Sequence, residues 1–306
     1  GWMAPLMFCG LVLFLLSGFP VAFSLAAVGL AFGLYGVQAG LFDFALLQAL
    51  PERVFGILSN DLLLAIPFFT FMGALLEKSG LAEDLLEGIG QLFGPVRGGL
   101  AFAVVVVGAI FGAITGTVAA SVIAMGVIAL PIMLRYGYST RVATGVIAAS
   151  GTITQIIPPS LVLIVLADQL GKSVGEMYAG AIGASLVQVL LFCAYIAVLA
   201  ILRPRWVPAL PPEARTLKGR ALALKIAAGV VPSLGLMFLV LGTILLGLAT
   251  PTEGGAMGAV GALVIAAARR RLDWNTVWQA GASTMRLTAL VIFILIGSTV
   301  FGLVFR

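Results

Sequence analysis

Two oxygen-rich stretches interrupt an otherwise apolar chain. One is Gly112-Ala-Ile-Thr-Gly-Thr-Val-Ala-Ala-Ser121; the other is Ser150-Gly-Thr-Ile-Thr-Gln-Ile-Ile-Pro-Pro-Ser160. Hydroxyls, and carbonyls released from helical bonding, are the oxygen ligands a hard cation takes. Both stretches fall where a membrane helix should be passing through the middle of a bilayer. Lipid offers no partner to a free N–H or C=O, so non-helical backbone survives there only inside protein or along a cavity. Paired broken helices are how secondary transporters build ion and substrate sites.

The elements that must position these stretches are membrane helices. The chain of 306 residues is 61% hydrophobic and 9% charged, where a soluble domain carries roughly 25% charge. The apolar runs suit helices rather than barrel strands. Histidine is absent, which excludes His-based metal sites, general bases and Ser-His-Asp triads. With no catalytic histidine, cysteine pair or buried aspartate pair, the chain does not read as an enzyme. Cys9 and Cys193 lie in apolar runs and read as small hydrophobes. The net charge of +5 reports orientation rather than nucleic-acid binding.

The spans expected are 3–17, 21–35 and 62–76, with amphipathic interfacial helices over 42–58, interrupted at Pro51, and over 81–93. Residues 98–134 form a hairpin broken by the first polar stretch, and 140–168 a span broken by the second. A plain span follows over 174–202, then a basic hydrophilic loop over 203–225. Spans over 226–249 and 253–268 come next, then an interfacial segment over 272–281 and a last span over 287–305. Placing the basic loop in the cytoplasm puts every Lys and Arg except Arg53, Lys172 and Arg306 on that side, as the positive-inside rule requires. The N-terminus is then periplasmic.

An internal repeat runs at an offset of 231 positions: Pro20 matches Pro251, Leu41 matches Leu272, and Gln48-Ala49 matches Gln279-Ala280. The two units start on opposite sides of the membrane, which makes the repeat inverted. Residues 1–202 are the first repeat, with scaffold helices in 1–95, hairpin and broken helix in 97–168, and the span 174–202. Residues 203–225 are a cytoplasmic linker and 226–306 a partial second repeat. A complete second repeat would extend the chain to roughly 430 residues, so this sequence is expected to be incomplete.

Several motifs in one order resemble the large membrane subunit, DctM type, of tripartite ATP-independent periplasmic (TRAP) transporters. They are Gly18-Phe-Pro-Val-Ala-Phe23, Ile66-Pro-Phe-Phe-Thr-Phe-Met-Gly73, Phe111-Gly-Ala-Ile-Thr-Gly-Thr117, Gly151-Thr152 with Ile157-Pro-Pro-Ser160, and Ala249-Thr-Pro-Thr-Glu253. The resemblance covers residues 2–306. It implies an all-α polytopic, inverted-repeat, elevator-type fold in the bacterial inner membrane. It also implies sodium-coupled uptake of an organic acid such as a dicarboxylate, with a small membrane subunit and a periplasmic substrate-binding protein as partners. The family's hairpin tip commonly carries serines where this chain has Thr115 and Thr117; threonine keeps the oxygen and adds a methyl group.

On that reading a sodium site joins Thr115, Gly116, Thr117 and Ser121 of the hairpin to Ser150, Gly151, Thr152, Ile157 and Pro158 of the broken helix. Gly116 and Gly151 would permit the backbone angles, and the prolines remove two amide donors. Thr117, Pro159 and Ser160 would face substrate, with the helix restart at Ser160 suited to an anion. No cofactor is implied beyond the coupling ion. Plainer readings stand beside these: Gly112 alone is a packing residue, Pro158-Pro159 alone a kink, and Thr250-Pro-Thr-Glu253 a helix cap. An anion symporter needing no binding protein, or a non-transporting assembly component, remain the competing functions.

Overall fold

The computed structural model describes residues 2–115 and 118–305, the side chains of 113–115 and 120 excepted. The regular elements among the described residues are all helical, which is how a chain in hydrocarbon bonds its own amides. By length and composition, five of these helices can cross a bilayer. They are α2 (Val21–Gln38), α11 (Val174–Leu202), α12 (Gly219–Leu245), α13 (Pro251–Ala268) and α14 (Trp274–Phe305). The chain divides into two compact units.

The first unit holds 1–63 and 285–306. It contains α1 (Met3–Leu16), α2, the short α3 (Ala45–Gln48) and α4 (Leu50–Leu58), and most of α14. Met3, Met7, Leu11, Val28 and Val304 form its core. Small residues bring α2 and α14 together. A Cβ on Gly29 would lie 2.9 Å from the Phe301 Cα, and one on Gly297 3.0 Å from the Ala22 Cα. Helices in lipid associate by such close packing rather than by the hydrophobic effect.

The second unit, 64–284, carries the two polar stretches. Its helices are α5 (Ala65–Lys78), α6 (Leu81–Leu92), α7 (Gly99–Thr115), α8 (Val118–Arg135), α9 (Thr140–Thr152), α10 (Leu161–Leu170), α11, α12 and α13. Helix α13 starts as a capping box. The Glu253 amide donates to the Thr250 hydroxyl at 3.2 Å, and the Thr250 amide to the Glu253 carboxylate at 3.0 Å, with Pro251 in the first turn. Thr250-Pro-Thr-Glu253 is therefore a cap. Helix α13 lies close against α5, where a Cβ on Gly255 would sit 2.9 Å from that of Phe68.

Helix α6 is amphipathic, as expected, and Leu81, Leu85, Leu86 and Ile89 on its apolar face are buried. Two members of its acidic face are ion-paired, Glu87 with Lys225 at 2.8 Å and Asp84 with Arg269. Two expectations are corrected. Residues 272–305 are not an interfacial segment plus a separate span. Helix α14 runs unbroken for 32 residues, because positions 282–286 contain neither glycine nor proline. Finally, 203–225 is no loose loop. Helix α12 already begins at Gly219, and 203–218 crosses the base of the hairpin as a fixed strap. The Gly98 amide donates to the Val207 carbonyl at 2.8 Å, Ser139 to Trp206 at 3.0 Å, and Leu210 to Gly94 at 2.9 Å. The buried Val207 and Leu210 side chains anchor it.

Candidate functional site: the helix break and the hairpin arms

The α7–α8 hairpin and the interrupted span α9–α10 meet in the second unit through glycines. A Cβ on Gly108 would lie 2.9 Å from the Ser150 Cβ, and one on Gly112 2.9 Å from the Thr154 Cα. One on Gly151 would lie 3.1 Å from both the Val122 Cα and its amide nitrogen. Gly108 and Gly112 are four residues apart, as are Ser150 and Thr154, so each pair occupies one helical face. Main chain therefore touches main chain along both hairpin arms.

The break itself follows from covalent chemistry. Helix α9 ends at Thr152 and tightens into a 3-10 turn, Ile153–Gln155. Continuation would require amides at 158 and 159 to donate to the carbonyls of Thr154 and Gln155. Prolines have no such amides, and the peptide between them is cis. The Ser160 hydroxyl replaces one missing donor, reaching the Gln155 carbonyl at 2.8 Å. The Thr154 carbonyl loses its helical donor. Ser160 then serves as N-cap of α10, but its side chain accepts no bond from the first turn.

Three buried polar atoms in this segment have no hydrogen-bond partner: Ser150 Oγ, Thr154 Oγ1 and Gln155 Oε1. Each such group costs on the order of 1–3 kcal/mol when left unmade. All three are neutral oxygens, and the Thr154 carbonyl adds a fourth. That donor set fits sodium, a hard cation bound by hydroxyl, amide and main-chain oxygen.

The sequence-derived site residues are distributed unevenly. Ser150, Gly151, Pro158, Pro159 and Ser160 are buried at the break, and Ile157 is half-buried beside it. Ser121 is buried in the first turns of α8. Thr152 is exposed, its hydroxyl bonded to the Ala149 carbonyl at 2.7 Å. Gly116 and Thr117 lie outside the described residues, as does the side chain of Thr115. Gly151 sits inside α9, so its role is close approach to Val122 rather than unusual backbone angles. Thr154 and Gln155 were missed. Their signal was periodicity: at about 100° per residue, Thr154 shares the face of Ser150 whereas Thr152 points about 200° away.

An apolar cavity of about 380 Å³ lies beside the break, lined by Ala109, Ile110, Ile157 and Pro158 together with residues of α11 and α12. Its lining offers an anion nothing beyond the Ser185 hydroxyl, which is already bonded to the Ala181 carbonyl at 2.7 Å.

A family model described as "Tripartite ATP-independent periplasmic transporter, DctM component" matches residues 8–306. The chain belongs to the DctM family. It is 32% identical to the C4-dicarboxylate TRAP transporter large permease protein DctM of Pseudomonas aeruginosa, over 86% of this chain and 60% of that protein. It is 34% identical to the protein of the same name in Vibrio cholerae, over 85% of this chain and 55% of the relative. The Vibrio cholerae sialic acid TRAP transporter large permease protein SiaM is 29% identical, over 94% and 65%. The chain thus spans about 60% of the length of the first of these relatives. The DctM match and the apolar helices make this a polytopic membrane protein related to permeases rather than to enzymes.

Proposed function

We propose that this chain carries the first ion site of a TRAP large permease, importing an organic acid with sodium across the bacterial inner membrane. The observation that carries the reading is the cluster of Ser150 Oγ, Thr154 Oγ1 and Gln155 Oε1, buried and unpartnered at a helix break. Ser150, Thr154 and Gln155, with the released Thr154 carbonyl, would hold the ion. Gly151, Ile157 and Pro158 shape the break, and Thr115, Gly116, Thr117 and Ser121 would complete the site from the hairpin. The family match supports the TRAP assignment and hence a small membrane subunit and a periplasmic binding protein as partners. It also supports a transport domain that moves past its scaffold like an elevator, and the distribution of Lys and Arg supports a periplasmic N-terminus.

The substrate end follows from Ser160. Its hydroxyl is committed to the Gln155 carbonyl, so the first amides of α10 keep their donors and their share of the helix dipole for an anionic group. Thr117, Pro159 and Ser160 are the residues assigned to substrate. Inward movement of one positive charge down 100 mV supplies about 2.3 kcal/mol, enough to concentrate a dilute acid.

The test is uptake by proteoliposomes holding the full-length permease and its partners. Thr154→Val keeps shape and removes one oxygen. It should raise the sodium concentration for half-maximal uptake about tenfold or more, since bonds to charged groups contribute about 1.5–3 kcal/mol. Thr152→Val should leave it unchanged. Uptake that proceeds equally with potassium replacing sodium would overturn the coupling, and an unaltered T154V the location of the site.

A further inference from the structure

The strap over 203–218 gathers charge at one end of the second unit. Main-chain bonds from Gly98 to Val207 and from Ser139 to Trp206 bring the segment carrying Arg203 and Arg205 against the segments carrying Arg97 and Arg141. All four are exposed. The ion pairs Lys225–Glu87 and Arg269–Asp84 use none of these arginines. Between 203 and 220 the sequence has five basic residues against one carboxylate, Glu213. The Arg203 guanidinium stands 5.3 Å from the centre of the Trp206 ring.

Directly beneath this charge the surface turns apolar. Ile201 and Leu202, which directly precede Arg203 at the end of α11, are 78% and 69% exposed. In a polytopic protein such side chains meet hydrocarbon, so the arginines and Trp206 fall at headgroup depth, where amphipathic aromatics concentrate. Guanidinium groups carried on adjoining segments without a carboxylate partner attract anions, and phosphate oxygens match their fork geometry.

We propose that this stitched end binds the headgroup of an anionic phospholipid, with its phosphate among Arg141, Arg203 and Arg205 and its acyl chains along Ile201 and Leu202. Charge alone would follow from membrane orientation; what makes this a site is that main-chain bonds fix the strap backbone that carries the cations. The inference rests on the membrane placement of the chain and not on the sodium site.

Native mass spectrometry of the full-length protein, released from nanodiscs of mixed phosphatidylglycerol and phosphatidylcholine, tests it. Wild type should retain phosphatidylglycerol preferentially. The triple variant Arg141→Gln, Arg203→Gln, Arg205→Gln should bind it about a hundredfold more weakly, at roughly fivefold per basic residue near an anionic surface, and the triple lysine variant should recover much of the loss. Equal retention of both lipids, or an unaltered glutamine variant, overturns the proposal. Displacement of the effect by millimolar inorganic phosphate also overturns it, because the ligand would then be free phosphate. Should the glutamine variant fail to fold, wild type decides alone: retention must fall as sodium chloride rises to about 0.5 M, where screening shortens to a few ångströms, and salt-independent retention sinks the idea.

Discussion

Ser150, Thr154 and Gln155 carry buried, unpartnered neutral oxygens across the end of α9 and the turn after it, while the hydroxyl of Thr152, two residues from Ser150, is exposed and bonds its own helix. That split is why Thr154→Val and Thr152→Val are expected to differ, although both substitutions change one threonine by the same atoms. A second residue-scale prediction concerns Tyr138, at the turn between α8 and α9. Its buried phenol accepts the Leu100 amide at 3.1 Å and ties the hairpin base together. Burial, opposed by bonds from the Ala101 and Leu100 amides, pushes this phenol up to about 12, against about 10 in an unfolded chain. The folded state therefore holds the proton more tightly. Stability conferred by the neutral phenol is complete below pH 10 and is lost as pH rises through about 12. Tyr138→Phe should flatten that alkaline decline in melting curves. It should also cost about 1–3 kcal/mol near neutrality by orphaning a buried amide.

At the scale of helices, the contact between hairpin and interrupted span depends on hydrogen atoms where Cβ atoms would be. Gly112→Ala drives a methyl group into the Thr154 backbone. It should destabilise the protein by about 1–3 kcal/mol, and on the proposed function impair uptake more than its effect on abundance explains. Thr250→Ala should cost about 1 kcal/mol through loss of the α13 cap, visible as a lower melting midpoint with uptake per folded molecule preserved. The cap was legible in the sequence because Thr-Pro-Thr-Glu satisfies it locally. So was the break at 150–160, because proline deletes an amide whatever surrounds it. The two faces of α6 were legible as an amphipathic pattern, but the partners of its acids were not: Asp84 and Glu87 pair with Arg269 and Lys225, far away in sequence. Continuity of α14 was hidden because Arg286 separates the amphipathic stretch 272–281 from the apolar run 287–305. The strap was hidden because main-chain stitches leave no trace in side-chain chemistry.

For the whole molecule, the first unit depends on the α2–α14 contact, and Gly297→Leu, which would force a side chain into the Ala22 backbone, should lower its thermal stability severely. In a folded fraction, sodium response should be unaltered, because the oxygen cluster lies wholly within the second unit. The sequence singles out the broken helix and names Thr152, whereas the unpartnered hydroxyl there belongs to Thr154, a matter of helical phase rather than of composition. The strap has one more consequence. Its links to Gly94, Gly98 and Ser139 all use main-chain atoms, so outward side chains between Val207 and Lys218 can change without cutting them. Glu213 and Thr216 are exposed there. With Cys9 and Cys193 replaced, a cysteine introduced at either position would carry a fluorophore or spin label rigidly enough for distance measurements, a fixed beacon on the body that carries the helix break.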